Sequence, residues 1–332
     1  MGKLSMMRAA QLAAQGRVEV GDFHVPEPRT GQLLVRMHRA SICGSDVRVV
    51  FHGFEHGQLP AAPGYPGHEG VGEVVESRSA AFAEGDRVLT VPIPPQAGCF
   101  AEFQVVDEGS LIRLPPDSDP ARLLMAQQLG TTMYAFRRFW HRADAEPGVA
   151  ALIGAGSAGL FFLQQLRQAG FQTVVAADRE PARLEIAREL GAAVGVRAPQ
   201  ESIVEAVMDV TGGEGADLVI EAAGYDACRA QAVEAVRYHG RIGLFGFPER
   251  RGDAPFPVER AFRKGASIEF SVGTQREPGL RSFRDAVDAI RSGSIEVGYC
   301  LAPSFPIEDV PEALETARER GRGAVKVNIE LG

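Results

Sequence analysis

Cysteine is scarce in this 332-residue chain: Cys43, Cys99, Cys228 and Cys300 stand far apart and form no CxxC pair. Their scatter excludes a disulfide-stapled scaffold and predicts a reduced, cytoplasmic compartment. Lysine is scarcer. Only Lys3, Lys264 and Lys326 occur, the rest of the 35 basic residues being arginine, and these gather into no basic block. With a net charge of −8, that distribution excludes an electrostatic nucleic-acid surface. No apolar run approaches the roughly 18 residues of a membrane span. The opening MGKLSMMRAAQLAAQG, its alanines interrupted by Gln and Arg, is too weak for a signal peptide.

What is present is an ordinary globular composition, 45% hydrophobic and 23% charged. The length predicts two domains, at about 150 residues each. From Arg8 to about Gly109 the pattern is short and β-like: Arg17–Val20, Gln32–Met37, Gly70–Val75 and Arg87–Val91 alternate between Gly and Pro punctuation, which suggests a small irregular β-barrel. Near Asp119 the period changes from two to about 3.6, predicting an amphipathic helix over Ala121–His141. Beyond it strands and helices alternate. Strands are expected at Ala216–Glu221, Arg241–Gly246 and Ser267–Ser271, with a helix over Ala227–Tyr238, so the segment reads as a doubly wound parallel sheet. Helices over Arg281–Ser292 and Pro311–Arg320 and a strand over Ala324–Glu330 close the chain.

The second segment opens on its most informative stretch. An apolar run, Ala150–Ile153, leads into Gly154-x-Gly156-x-x-Gly159, then a helix-period segment over Leu160–Ala169. A further apolar run ends in Asp178. Gly154 permits the tight turn, Gly156 lets backbone approach a pyrophosphate, and Gly159 lets helix pack on strand. Ser157 and Ala158 would offer their N–H groups to the phosphates at the helix N-terminus. Asp178 would accept the ribose hydroxyls and repel a 2′-phosphate; like charges about 4 Å apart cost about 4 kcal/mol at an effective dielectric of about 20. NAD is therefore expected over NADP, with Arg179 beside Asp178 available to cover the adenine.

Two clusters in the first segment carry the chemistry. They are Cys43-Gly-Ser-Asp46 and Gly67-His-Glu-Gly70. Thiolate, imidazole and carboxylate from separate loops suit a tetrahedral Zn²⁺ with an open position. Together with Gly85-Asp-Arg-Val88, Phe100-Ala-Glu-Phe103, the fingerprint and Lys326-Val-Asn-Ile329, the chain resembles the medium-chain dehydrogenase/reductase superfamily, in its zinc-dependent alcohol and polyol (sorbitol- and threonine-dehydrogenase-like) branch. The resemblance implies a GroES-like catalytic domain from residues 7–120 and 273–332 and a Rossmann domain over 121–272. It implies Cys43, His68 and Glu69 as zinc ligands or near-ligands, Ser45 as the group that passes the substrate proton, and Asp46 as the partner that orients His68. Thr132 matches a residue that touches the nicotinamide, and Arg183 one near the adenosine. Relatives pair through the Rossmann sheet edge, so a homodimer or homotetramer is expected.

Departures from the family pattern are equally specific. Gln127-Gln128 stands where a Glu or Cys usually completes the zinc site, and a neutral amide is a poorer ligand. Either glutamine, or water, is a candidate for that place, with Cys99 a remoter one. Arg48 replaces a relay histidine and cannot deprotonate near neutrality. Leu89–Gly98 contains no cysteine, so one catalytic and no structural zinc is expected. His52-Gly-Phe-Glu-His56 fits an HxxEH peptidase pattern only on a helix. Gly53, Gly57 and Pro60 predict a loop instead, with Phe51, Phe54 and His56 as candidate pocket residues. The leading expectation is zinc-dependent hydride transfer between a secondary alcohol (polyol, sugar or amino alcohol) or its ketone and NAD(H). The alternatives are a zinc-free NAD(P)H reductase of the same superfamily and a non-catalytic nucleotide-binding protein.

Overall fold

The computed structural model describes residues 5–54, 57–93, 96–141 and 146–332. The chain divides into two compact units, Met1–Gly130 with Gln275–Gly332, and Thr131–Thr274. The first unit begins with a hairpin, β1 (Met6–Ala14) and β2 (Arg17–His24), forming a sheet of its own. Next come β3 (Gln32–Ile42), α1 (Gly44–His52), β4 (Glu69–Ser77), β5 (Arg87–Thr90), β6 (Phe103–Asp107) and β7 (Leu111–Arg113). Strand β3 is the hub of the unit's larger sheet, pairing antiparallel with both β4 and β6. Its Leu33, Leu34, Val35, Met37, Ala40 and Ile42 are all buried, each contributing about 1.5–3 kcal/mol if a large side chain.

The expected helix over 121–141 is two helices, α2 (Pro120–Leu124) and α3 (Ala126–Phe139). Asp119 caps the first, its side chain accepting from the Ala121 N–H at 2.9 Å, and Pro120 follows at a position where it lacks no needed donor. The break at Met125 puts Gln127 and Gln128 in the first turn of α3.

The second unit is the alternation the sequence predicts, with more elements than the pattern announced. In order come β8 (Val149–Ile153), α4 (Ser157–Ala169), β9 (Thr173–Asp178), α5 (Pro181–Glu189), β10 (Val194–Arg197), α6 (Ile203–Thr211), β11 (Ala216–Glu221), α7 (Asp226–Ala235), β12 (Val236–Leu244), α8 (Val258–Lys264) and β13 (Ser267–Phe270). All pair parallel in the order β10-β9-β8-β11-β12-β13, a doubly wound sheet with its topological switch between β8 and β11. Helix α7 ends three residues before the expected Tyr238. Val236 turns extended and pairs with Ala216, and a register shift carries the strand on to Arg241 opposite Leu218. A β-branched residue facing an open strand favours pairing over one more helical turn.

The tail returns to the first unit through α9 (Arg281–Arg291), β14 (Ser304–Pro306), α10 (Val310–Arg318) and β15 (Val327–Glu330). Strand β15 pairs antiparallel with β3, Val327 opposite Ile42, so the last residues of the chain lie beside the Cys43 corner. The architecture is α/β: a GroES-like unit made from both ends of the chain and a Rossmann-type parallel sheet between them. No helix among the described residues is long and apolar enough to cross a membrane.

Candidate active site

Cys43 leaves β3 and opens α1. The Asp46 carboxylate folds back on this corner, Oδ2 accepting from the Cys43 N–H at 2.8 Å. Its other oxygen, Oδ1, lies 2.8 Å from His68 Nδ1. One buried carboxylate thus closes the first turn of the helix and fixes the imidazole, leaving His68 Nε2 available to a ligand. Burial alone would lower the His68 pKa, but Asp46 and then Cys43 hold it well above the ordinary range. Glu69 follows on β4. Ligand atoms of Cys43, His68 and Glu69 all lie within 4.8 Å of one another, the one such group among the described residues.

Glu69 is held more firmly than its sequence context announces. It is 1% exposed, and Oε2 receives both Lys326 Nζ and the Ser41 hydroxyl at 2.5 Å. Burial would raise its pKa, yet Lys326, His68 and Ser41 bring it below the usual carboxylate value. Lys326 is equally buried and, through Glu69, held above its usual value despite desolvation. The donor set fits a zinc ion: a thiolate, an imidazole oriented through its far nitrogen, and the second oxygen of a carboxylate.

The expected fourth place is occupied by an amide. Gln127 is buried and its Nε2 donates to the His68 carbonyl at 3.3 Å, while Gln128 Oε1 accepts from Lys326 at 3.3 Å. Both glutamines therefore brace the site's frame. Cys99 is buried too, but its thiol donates to the Glu69 carbonyl at 3.4 Å and stands outside the Cys43–His68–Glu69 group. Burial, with Asp46 and Glu69 nearby, pushes that thiol well above its usual pKa, which disfavours the thiolate a metal needs. Ser45 sits part-exposed on the first turn of α1, and Arg48 one turn further on. His52 is the last residue of α1 and Gly53 turns left-handed, φ 73°, so the HxxEH pattern does not lie on one helix. Glu55 and His56 lie outside the described residues. Phe54 is buried and Phe51 carries the Arg318 guanidinium 4.7 Å above its ring, so neither is an open pocket wall.

In the other unit the fingerprint forms the expected strand–turn–helix. Gly154 has φ 100°, and a Cβ on Gly159 would stand 1.9 Å from the Gly154 carbonyl oxygen, so only glycine fits there. Gly156 caps α4, and a Cβ on it would meet only Arg183 at 3.7 Å. Asp178 ends β9 and reaches across the turn: Oδ2 accepts from the Ala155 N–H at 2.7 Å and Oδ1 from the Glu180 N–H at 2.9 Å. Thr132 is fully buried, its hydroxyl accepting from Gln165 Nε2 at 2.9 Å, and its neighbour Thr131 is the partly exposed residue.

Three buried partners had no role assigned from the sequence: Lys326, quoted only as part of a matching motif, Ser41, and Glu221 at the end of β11. Lys326 carried a signal, being a lone lysine in the apolar run Ala324–Ile329 of a chain with three lysines. A lysine is almost never buried without a partner. Ser41 and Glu221 carried none.

Fold and site define a class of enzyme, a nucleotide-linked oxidoreductase with a metal-donor cluster in its first unit. Comparison with known proteins gives the family. Residues 29–116 match the alcohol dehydrogenase GroES-like domain family and residues 158–292 the zinc-binding dehydrogenase family. L-Threonine 3-dehydrogenase of Bacillus subtilis is 28% identical over 91% of this chain and 92% of its own. Sorbitol dehydrogenase of the same organism is 22% identical over 97% of each. Alcohol dehydrogenase TADH from Thermus sp. ATN1 superposes with a TM-score of 0.82 at 27% identity, covering 98% of this chain and all of that one. The chain belongs to the zinc-type alcohol dehydrogenases of the medium-chain dehydrogenase/reductase superfamily and is an oxidoreductase.

Proposed function

We propose that the protein oxidises a secondary alcohol of the polyol, sugar or amino-alcohol class with NAD, or reduces the matching ketone with NADH, in a zinc-dependent reaction in the cytoplasm. The observation that carries the reading is the Cys43–His68–Glu69 cluster, with Asp46 gripping the far nitrogen of His68. Sorbitol and threonine, named for two of the relatives, mark the substrate class and not the substrate.

Cys43, His68 and Glu69 would hold the metal. Zinc bound there supplies a Lewis acid for the alcohol oxygen, favouring its deprotonation near neutral pH. Ser45 accepts the hydroxyl proton and passes it on. Arg48 cannot take that proton, so it leaves to water. Asp46 keeps the His68 tautomer fixed throughout. Gly156, Ser157 and Ala158 at the α4 N-terminus would hold the coenzyme pyrophosphate through their N–H groups. Asp178 would take the adenosine ribose and disfavour a 2′-phosphate, Arg179 and Arg183 would flank the adenosine, and Thr132 would face the nicotinamide. A nicotinamide bound there would supply the acceptor or donor for the hydride of the substrate carbon. The exposed apolar residues Phe262, Phe270 and Val272 around edge strand β13 support a homodimer or homotetramer.

The test is metal analysis combined with turnover of an alcohol panel using NAD and NADP. Stoichiometric zinc, loss of activity in chelator and preference for NAD are expected. Full turnover without zinc would overturn the metal half of the reading. The buried Gln127 favours a second reading, a zinc-free reductase, and near-normal activity of Cys43→Ala would establish it.

A further inference from the structure

Three turns meet at the carboxyl ends of β8, β11 and β12, and Glu221 ties them together. It is the last residue of β11, paired with Ile153 of β8 and Leu244 of β12. Its backbone carbonyl accepts from the Phe245 N–H at 2.9 Å and the Gly246 N–H at 3.0 Å, securing the turn after β12. Its side chain secures the turn after β11, with Oε1 accepting from the Ala223 N–H at 2.7 Å and the Gly224 N–H at 2.6 Å. That turn in turn abuts the glycine-rich one. A Cβ on Gly154 would meet the Ala223 nitrogen at 3.0 Å and the Ala222 carbonyl carbon at 3.2 Å. Small changes in the 222–224 turn must therefore be felt at Gly154.

The two oxygens of Glu221 are in unequal surroundings. Oε2 is buried without a hydrogen-bond partner among the described residues, packed 2.9 Å from where a Gly246 Cβ would lie. Arg229 on α7 acts on the side chain directly; Cys228 on α7 feels Glu221 together with Glu249, Arg229 and Arg179, and Asp226 pairs with Arg229 and Arg250. Burial pushes the Glu221 carboxyl up to about 7, although the Gly224 and Ala223 N–H groups and Arg229 pull it down. Burial also pushes the Cys228 thiol up to about 12, so the thiol does not titrate alongside it. Backbone donors bond the ionised carboxylate more strongly than the neutral acid. The turn is held best when Glu221 is charged, and ligands of open parallel sheets sit just outside the strand ends it braces.

We propose that Glu221 is a pH-linked positioning residue for the coenzyme: its ionised form holds the 222–224 turn against Gly154 in the shape that accepts the dinucleotide, and dinucleotide binding drives its proton into solvent. The proposal rests on the dinucleotide reading above. Glu221 acts through the 222–224 turn and not on the reacting atoms.

Calorimetric titration of the full-length protein with NADH at pH 7, in two buffers of different ionisation enthalpy, measures the released proton directly. About half a proton per coenzyme is expected, and an NADH Kd that weakens about tenfold from pH 8 to pH 6. Glu221→Gln keeps the size and the acceptor for both N–H groups but cannot ionise. It should release no such proton and bind NADH with a pH-independent Kd at least as weak as that of the native protein at pH 6. Equal proton release by the two proteins would overturn the proposal. So would tight NADH binding by the native protein without proton release, a result that needs no variant and leaves the dinucleotide reading standing. If neither NADH nor NADPH binds at any pH, both readings fall together.

Discussion

Replacing Lys326 by Met strands a buried carboxylate, and the cost can be worked from the pair's surroundings. Lys326 Nζ and Glu69 Oε2 are 2.5 Å apart, with side chains 2% and 1% exposed. At an effective dielectric of about 20 the gross attraction at that distance is about 7 kcal/mol, most of it offset by desolvation of the two ions. Methionine nearly fills the lysine's volume, so little cavity forms. The loss is then at most the cost of a buried Glu69 left with Ser41 and the nearby His68. Its cheapest escape is protonation, which at pH 7 means moving a carboxyl from its ordinary 4.5 across two and a half pH units, about 3.4 kcal/mol. The sign follows. In the native protein the Glu69 pKa is depressed, so its stabilisation is full above the unfolded value and disappears as pH falls through the folded one. In Lys326→Met the pKa is raised, so stability is lost as pH rises from about 4.5. The deficit should be about 3 kcal/mol at pH 7 and under about 1 kcal/mol at pH 5, with Glu69→Gln on top recovering most of it. Urea unfolding in chelator, followed by far-ultraviolet circular dichroism, measures it without a contribution from metal. Fluorescence of Trp140 does not, because that residue belongs to the other unit. A deficit below about 1 kcal/mol at pH 7, or one indifferent to pH, would refute the reasoning.

Three further outcomes are expected. Gln127→Glu adds a carboxylate beside His68 and should tighten zinc binding at least tenfold, about 1.4 kcal/mol, in competition with a chromophoric chelator; an unchanged affinity would place residue 127 outside the metal's reach. Gly159→Ala drives a Cβ to 1.9 Å from the Gly154 oxygen and should weaken NADH binding more than tenfold by fluorescence titration, a result that unchanged binding would contradict. Phe270→Arg on edge strand β13 should shift the mass measured by light scattering toward the monomer, and an unmoved oligomer would assign its interface to another surface.

The fingerprint unit is legible in the sequence because its logic is local. Strand, turn, helix and second strand follow one another from Val149 to Asp178, and each glycine answers to a neighbour a few residues away. The same locality explains the misses in that unit. The boundary between α7 and β12 at Val236 depends on a partner strand, Ala216 onward, that propensity cannot see. Asp178 is legible as an acid at a strand end, but its grip on the Ala155 N–H depends on how the turn closes. In the first unit Cys43 and His68 could be chosen by residue type, since thiolate and imidazole are the natural zinc donors. The family resemblance also named Asp46 as the partner of His68, and the 2.8 Å contact to its ring agrees. That the same carboxylate also takes the Cys43 N–H follows only once α1 starts at Gly44 and β4 lies beside β3.

Lys326 changes how the Gln127 position should be judged. Taken alone, an amide in a ligand's place argues for a weakened site. In the structure that amide sits in a frame whose charge is already balanced: Glu69 is neutralised by Lys326, and Lys326 is steadied by Gln128. A carboxylate at 127 would place a second buried acid beside the His68 carbonyl in a frame whose one lysine already pairs with Glu69, which costs folding energy whenever the metal is absent. Glutamine avoids that cost and keeps a hydrogen bond to the His68 carbonyl. The exchange trades metal affinity for stability of the empty site, so Gln127→Glu should bind zinc more tightly and also unfold more readily in chelator. If the variant gained affinity with no loss of metal-free stability, the glutamine would have no such compensating role.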